Sequence, residues 1–137
     1  MKATFTDTQA GYLIKVQLQQ IGPDLLLVIT GGDHPHVGTV TTFSSQSAAQ
    51  TSRFPSHDGR LHKDGLLAKV LAKQIQPMLK GTCTITAGVH VNQISQRQID
   101  MASIKAKILG QQVACWLKQH PVQVTPPSYY GADEQPH

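Results

Sequence analysis

Seven histidines stand out in this 137-residue chain as side chains able to do chemistry. Four of them, His34, His36, His62 and His90, fall at the ends of expected secondary-structure elements, where loops present side chains from a rigid support. In the run Gly31-Gly32-Asp33-His34-Pro35-His36 the paired glycines let backbone N–H groups turn toward a ligand without Cβ obstruction, an arrangement that receives anions. Pro35 stiffens the loop between the two imidazoles. The same residues equally compose a polar turn whose histidines face water. A second stretch gathers Arg60, His62, Lys63 and Asp64 at the mouth of an expected helix, where cations and the helix N-terminus together attract phosphate. Asp64 is also a simple N-cap there. The third stretch, residues 87–95, ends a strand with His90 and Asn92, two polar side chains spaced to share one face. They line a pocket, or His90 is an ordinary hydrogen-bonded core histidine.

These stretches contain no nucleophile beside a recognisable base and no carboxylate pair, and the chain has only eight acidic residues. Acid–base catalysis therefore has few candidates besides histidine, and composition leans toward binding over turnover. Asp33, His34, His36 and His90 could in principle supply zinc ligands, but no spacing demands it and HExxH is absent, so no metal site is assigned. GxGxxG, P-loop and nucleophile-elbow patterns are also absent. A net charge of +4 with only 5% aromatic residues provides no stacking platform for nucleic acid. The surplus reads as mild attraction to anions such as phosphate. Cys83 and Cys115 lie in apolar stretches and are expected as two buried, reduced thiols. No basic-then-apolar leader and no membrane-spanning run occurs, so a soluble cytoplasmic protein is expected, without a membrane partner.

The elements that must position these residues follow from periodicity. Tyr12, Ile14, Val16 and Leu18 alternate as one face of a strand, and residues 25–30 form a second strand joined to it by an Ile-Gly-Pro-Asp turn, hence an antiparallel hairpin. Residues 37–43 give a third strand. The long connection 44–60 has no clear period, with a short strand to be sought near 51–54. Leu66, Leu67, Val70, Leu71, Ile75, Met78 and Leu79 follow helical spacing over 63–80, with Pro77 ending the helix a turn early. Residues 82–91 alternate as a fourth strand, in which Gly88 permits a bulge or the close approach of another group. Ser95 and Gln98 fit a capping box, opening a helix whose stripe comprises Ile99, Ile104, Ile108, Leu109, Val113, Trp116 and Leu117. Four of the eight prolines follow His120, which predicts an extended or disordered tail over 121–137 after a single domain at 1–120. The expected fold class is α+β, a mostly antiparallel sheet covered on one face by two helices, with a parallel element allowed after the first helix.

The three stretches, in order and at these distances, resemble the small accessory D-subunit family associated with UbiD-type hydroxyarylic acid decarboxylases. Its pattern is a Gly-Gly-x-x-Pro-His-(Ile/Val)-Gly loop, a His-Lys-Asp at a helix start, and an Ala-Gly-(Ile/Val)-His strand followed by Asn and Ile. Here these are Gly31, Gly32, Pro35, His36, Val37 and Gly38; His62, Lys63 and Asp64; and Ala87, Gly88, Val89, His90, Asn92 and Ile94. The segment 46–53 and the tail depart from it. The resemblance implies a non-catalytic chaperone that holds prenylated FMN, or FMN, and delivers the modified flavin to the large subunit of a UbiD-type, gallate-type decarboxylase. It implies cofactor contacts from Gly31, Gly32, His36, Gly38, His62, Lys63, Gly88, His90 and Asn92. In that arrangement the phosphate meets Lys63, the helix start and the Gly31-Gly32 backbone, the ring lies against apolar strand residues and Gly88, and His36, His90 and Asn92 bond its polar edge. The competing classes are a structural subunit of the decarboxylase that does not touch flavin and a small histidine-based metalloenzyme. An uncovered sheet face and a long apolar helix stripe add an expectation of homo-oligomerisation.

Overall fold

A computed structural model describes residues 1–55 and 65–137. The strands β1 (Lys2–Asp7), β2 (Ile14–Ile21), β3 (Asp24–Gly32), β4 (Thr39–Ser44), β5 (Gln50–Arg53) and β6 (Thr82–His90) form one sheet of order β1-β2-β3-β6-β4-β5. All neighbouring pairs are antiparallel except β3 with β6. The helices α1 (Gly65–Ile75) and α2 (Gln96–Gln119) pack on each other and on one face. The fold class is thus α+β with a mostly antiparallel sheet, as periodicity predicts.

The alternating set is buried as expected: Tyr12, just before β2, and Ile14, Val16 and Leu18 within it all face the helices. Leu27 and Ile29 of β3 and Ile85 and Ala87 of β6 continue that face, and Leu71, Ile75, Leu109 and Val113 close over it. On the opposite face Gln17 and Gln19 are exposed and Val28, Val40, Thr84 and Thr86 half-buried. The β2–β3 hairpin turns through Gly22, whose φ of 58° suits the first position of a two-residue loop. Pro77 does end α1 early: the helix stops at Ile75 and a 3-10 turn, Gln76–Met78, leads out. The Ser95–Gln98 capping box is present, with Ser95 Oγ accepting from the Gln98 N–H and Gln98 Oε1 accepting from the Ser95 N–H. Among the described residues no helix is long and apolar enough to cross a membrane.

Four expectations need correction. β1 was not anticipated, because Lys-Ala-Thr-Phe-Thr-Asp offers only Ala3 and Phe5 to the core and owes its strand to pairing with β2. The short strand sought near 51–54 is β5, at 50–53, so the sheet has six strands where about four were expected. The stripe of α2 is rotated: Ile99 and Ile104 are about half exposed at 49% and 50%, while Lys105 is fully buried. In α1, Leu66 is likewise exposed. Finally, Cys83 is buried but Cys115 is exposed. Burial pushes the Cys83 thiol up to about 12, and the thiolate is the nucleophile. Alkylation of the native protein is therefore expected to label Cys115 alone, and peptide mapping should find Cys83 labelled only after unfolding.

Lys105 is accommodated by converging acceptors. Its ammonium donates to the carbonyls of Asp7, Gln9 and Tyr12, at 3.2, 2.5 and 2.6 Å, and pairs with Asp7 Oδ1 at 3.0 Å. It also lies 4.1 Å from the centroid of the Tyr12 ring. The burial of Asp7 by itself raises its carboxyl, but hydrogen bonds from the Gln9 side chain and N–H and from Lys105 outweigh that and hold it below 3.8. Burial and the Asp7 charge raise the Tyr12 phenol in turn. This network fixes residues 7–12, whose next carbonyl, that of Leu13, accepts from the Gly32 N–H at 2.9 Å.

Candidate functional site

The parallel pairing of β3 with β6 sets Gly32 beside His90, so two of the three motif stretches end side by side. The loop leaving β3 then runs back along the end of β6, held by main-chain bonds. The N–H groups of Asp33 and His34 donate to the His90 carbonyl, that of His36 to Gly88 and that of Gly38 to Ala87. Glycine is required at each crossing. A Cβ on Gly31 would collide with the Leu13 carbonyl, one on Gly32 (φ 71°) with the His90 carbonyl, and one on Gly88 with the carbonyl and ring of His36. The close approach anticipated at Gly88 is thus made by the main chain of His36.

This stitching brings His34, His36, His90, Asn92 and Asp33 together. The His34 and His90 rings lie 5.5 Å apart between centroids, tilted by 49°. His90 Nε2 is 3.1 Å from Asn92 Oδ1, and the Asn92 N–H donates to Asp33 Oδ2 at 2.8 Å. His36 Nδ1 is 2.9 Å from the His34 carbonyl oxygen. A carbonyl only accepts, so Nδ1 of His36 carries a proton. By the same logic His90 donates through Nε2 to the Asn92 carbonyl oxygen, and the Asn92 NH₂ is a donor. The cluster therefore carries both hydrogen-bond donors and acceptors on neighbouring side chains. His90 and Asn92 are exposed and His36 half-buried, so the arrangement is open to a ligand.

His62, Lys63 and Asp64 lie outside the described residues. Among the described residues no three His, Cys, Asp or Glu side chains converge as metal ligands. A cleft of about 210 Å³ bounded by Pro23, Met78, Leu79, Leu117 and Pro121 sits at the opposite end of the sheet and includes none of the motif residues. Sequence reasoning missed two contributors. Asp33 latches the Asn92 main chain, and Gln98 Nε2, 3.1 Å from the Ala10 carbonyl, ties the first turn of α2 to the segment before β2. The Asp33 latch had a signal in its place between Gly32 and His34, but its partner lies 59 residues away.

Comparison with known proteins shows the family. A family model described as the prenylated flavin chaperone LpdD-like domain matches residues 8–118, a span containing all three motif stretches. Protein LpdD of Lactiplantibacillus plantarum is 54% identical over 134 residues, which cover 98% of this chain and 98% of that one. With the motif residues inside the matched span and the similarity running nearly end to end, the chain belongs to the prenylated flavin chaperone LpdD-like family.

Proposed function

We propose that this chain holds prenylated FMN, or FMN, against His36, His90 and Asn92 and hands the modified flavin to a UbiD-type, gallate-type decarboxylase without acting on it chemically. The observation that carries this reading is the convergence of His36, His90 and Asn92, from two distant stretches, on one open end of the parallel pair. Their donors and acceptors suit the N–H and C=O groups along an isoalloxazine edge, and the apolar bodies of nearby strand residues would back the ring. Gly31 and Gly32 serve by letting the loop take this path, Gly88 by seating His36, and Gly38 by its N–H bond to the Ala87 carbonyl. His62 and Lys63 are assigned to the polar end of the ligand. The half-buried residues on the uncovered sheet face suit self-association.

Retention of flavin through anaerobic gel filtration tests the reading, with prenylated FMN supplied in both oxidised and reduced form. The wild-type protein is expected to co-elute with flavin absorbance and, once loaded, to activate the apo-decarboxylase faster than free flavin does. One hydrogen bond is worth about 1 kcal/mol, so His36→Ala and His90→Ala are each expected to weaken binding about 5- to 10-fold. A wild-type protein that elutes colourless overturns the flavin reading and favours a structural subunit. Wild-type affinity in both variants overturns only the residue assignment.

A further inference from the structure

We propose that the cleft at the far end of the sheet receives the C-terminal tip of a second copy of this chain, so that two copies exchange tails. The cleft lies where the turn after α1, the end of α2 and the β2–β3 hairpin meet. Its floor is apolar, formed by the buried Leu25, Leu79 and Leu117, and its rim carries Lys80 and Lys118, both exposed. Among the described residues neither lysine makes an ion pair. Asp24, next in the chain to Pro23 of the cleft, has Oδ1 engaged by the Thr82 N–H at 2.8 Å. A pocket that is apolar below and cationic at its mouth selects a group with an apolar body and a carboxylate beside it.

The tail has that composition. All twelve Lys and Arg residues precede residue 121, whereas 121–137 holds Asp133 and Glu134 close to Tyr129 and Tyr130. Tyr129 is 85% exposed and Tyr130 51%, so two large aromatic side chains bury little against their own chain. Aromatic rings of this kind are the anchors of protein interfaces. The tip is also preformed: the Glu134 N–H donates to the Gly131 carbonyl at 3.0 Å, and the Tyr130 ring meets His137 edge-on with centroids 6.3 Å apart. A preformed tip loses less entropy on docking.

This tip does not occupy the cleft of its own chain, which Pro121 and Val122 line but no later residue does. His120 fixes the departure of the tail, its N–H donating to the Leu117 carbonyl at 3.3 Å and its ring stacked on Trp116 with centroids 4.2 Å apart. Residues 123–128 then run without helix or strand. Pro126 and Pro127 hold this arm extended, and a residue before proline, here Thr125, avoids the helical region a tight reversal would use. At about 3.1 Å per residue the arm carries Tyr129 about 20 Å from the cleft it leaves. Such an arm favours the cleft of a neighbour, and a two-fold relation lets each copy give and receive the same contact.

Sedimentation velocity of the full chain over a concentration series tests the exchange, using two charge-reversed variants. Lys80→Glu with Lys118→Glu turns the rim of the cleft acidic, and Asp133→Lys with Glu134→Lys turns the tip basic. All four side chains are exposed, so both variants should melt with the wild type. The wild type is expected to associate reversibly, and each variant alone about tenfold or more weakly, because attractions become repulsions. An equimolar mixture of the two variants is expected to regain wild-type association as a heterodimer, since the acidic cleft then meets a basic tip and the basic cleft an acidic one. A tail folded back on its own chain gives no such recovery. Tyr129→Ser with Tyr130→Ser is expected to weaken association about tenfold or more, with melting unchanged. A wild type that stays monomeric, reversed variants that associate as the wild type does, or a mixture that behaves as the sum of its parts overturns the exchange. The second of these results assigns association to the uncovered sheet face instead.

Discussion

Replacing Lys105 with alanine is expected to lower the unfolding free energy by about 3–5 kcal/mol, the range for removing one partner of a buried ion pair. The variant strips the partner from a largely buried carboxylate and from three main-chain carbonyls at once, and it leaves a cavity beneath the Tyr12 ring. For a chain of this length the corresponding drop in melting temperature is about 10–20 °C. Asp7→Asn should cost much less, because Lys105 keeps its three carbonyl acceptors. The pH dependence has a definite sign. Asp7 titrates below 3.8 in the folded protein, so its contribution is complete above the unfolded value and is lost as pH falls below 3.8 through the folded one. The stability gap between wild type and Asp7→Asn is therefore expected to close in that acid window and to be constant from pH 5 to 7. Chemical denaturation of the three proteins at several pH values checks both statements. A Lys105→Ala protein as stable as Asp7→Asn would show that the carbonyl bonds contribute nothing.

Gly88→Ala is expected to dislodge the Asp33–Gly38 loop and abolish flavin retention, with a stability loss of about 1–3 kcal/mol from overpacking. The added methyl would overlap a main-chain carbonyl, which cannot rotate aside as a flexible side chain can. The loop must lift, which breaks the His36 and Gly38 bonds to β6 and separates His36 from His90. Gly22→Ala is the control. It places an alanine at φ 58° in open space, so it adds backbone strain of about 1 kcal/mol but touches nothing near the imidazoles. Equal flavin retention in the two variants would dissociate the loop from binding. Retention by Gly22→Ala alone would tie binding to the seat of His36 on β6.

What the sequence made legible was whatever depends on near neighbours. The β2–β3 hairpin, the alternation of β6, the early stop at Pro77 and the Ser95 cap all rest on patterns a few residues long, and all are present. β1 was not legible because an edge strand with two core-facing residues has almost no period of its own. The phase of α2 was misread because Ile99 and Ile104 widen its apolar stripe beyond what the sheet covers, and because a lysine in the stripe looked polar. Lys105 is buried only because acceptors more than 90 residues away meet it, and no local pattern announces that. The site divides the same way. His36, His90 and Asn92 stood out by type and by position at element ends, but their meeting depends on the β3–β6 pairing, which periodicity left open.

That pairing also bears on when the site comes into being. Leu25 aligns with Cys83 and Gly32 with His90, so the contacts that join the two halves of the cluster, His34 with His90 and Asp33 with Asn92, each close a loop of more than fifty residues. Such contacts form late, since the entropy of closure must be overcome before they stabilise anything, and folding slows as mean contact separation rises. Between the two strands in the chain lie β4, β5 and α1, and β6 enters the sheet between β3 and β4, so its arrival joins β1–β3 to β4–β5. A chain still emerging from the ribosome has the glycine loop but not the strand that seats it. The imidazole cluster thus exists only after β6 has joined β3.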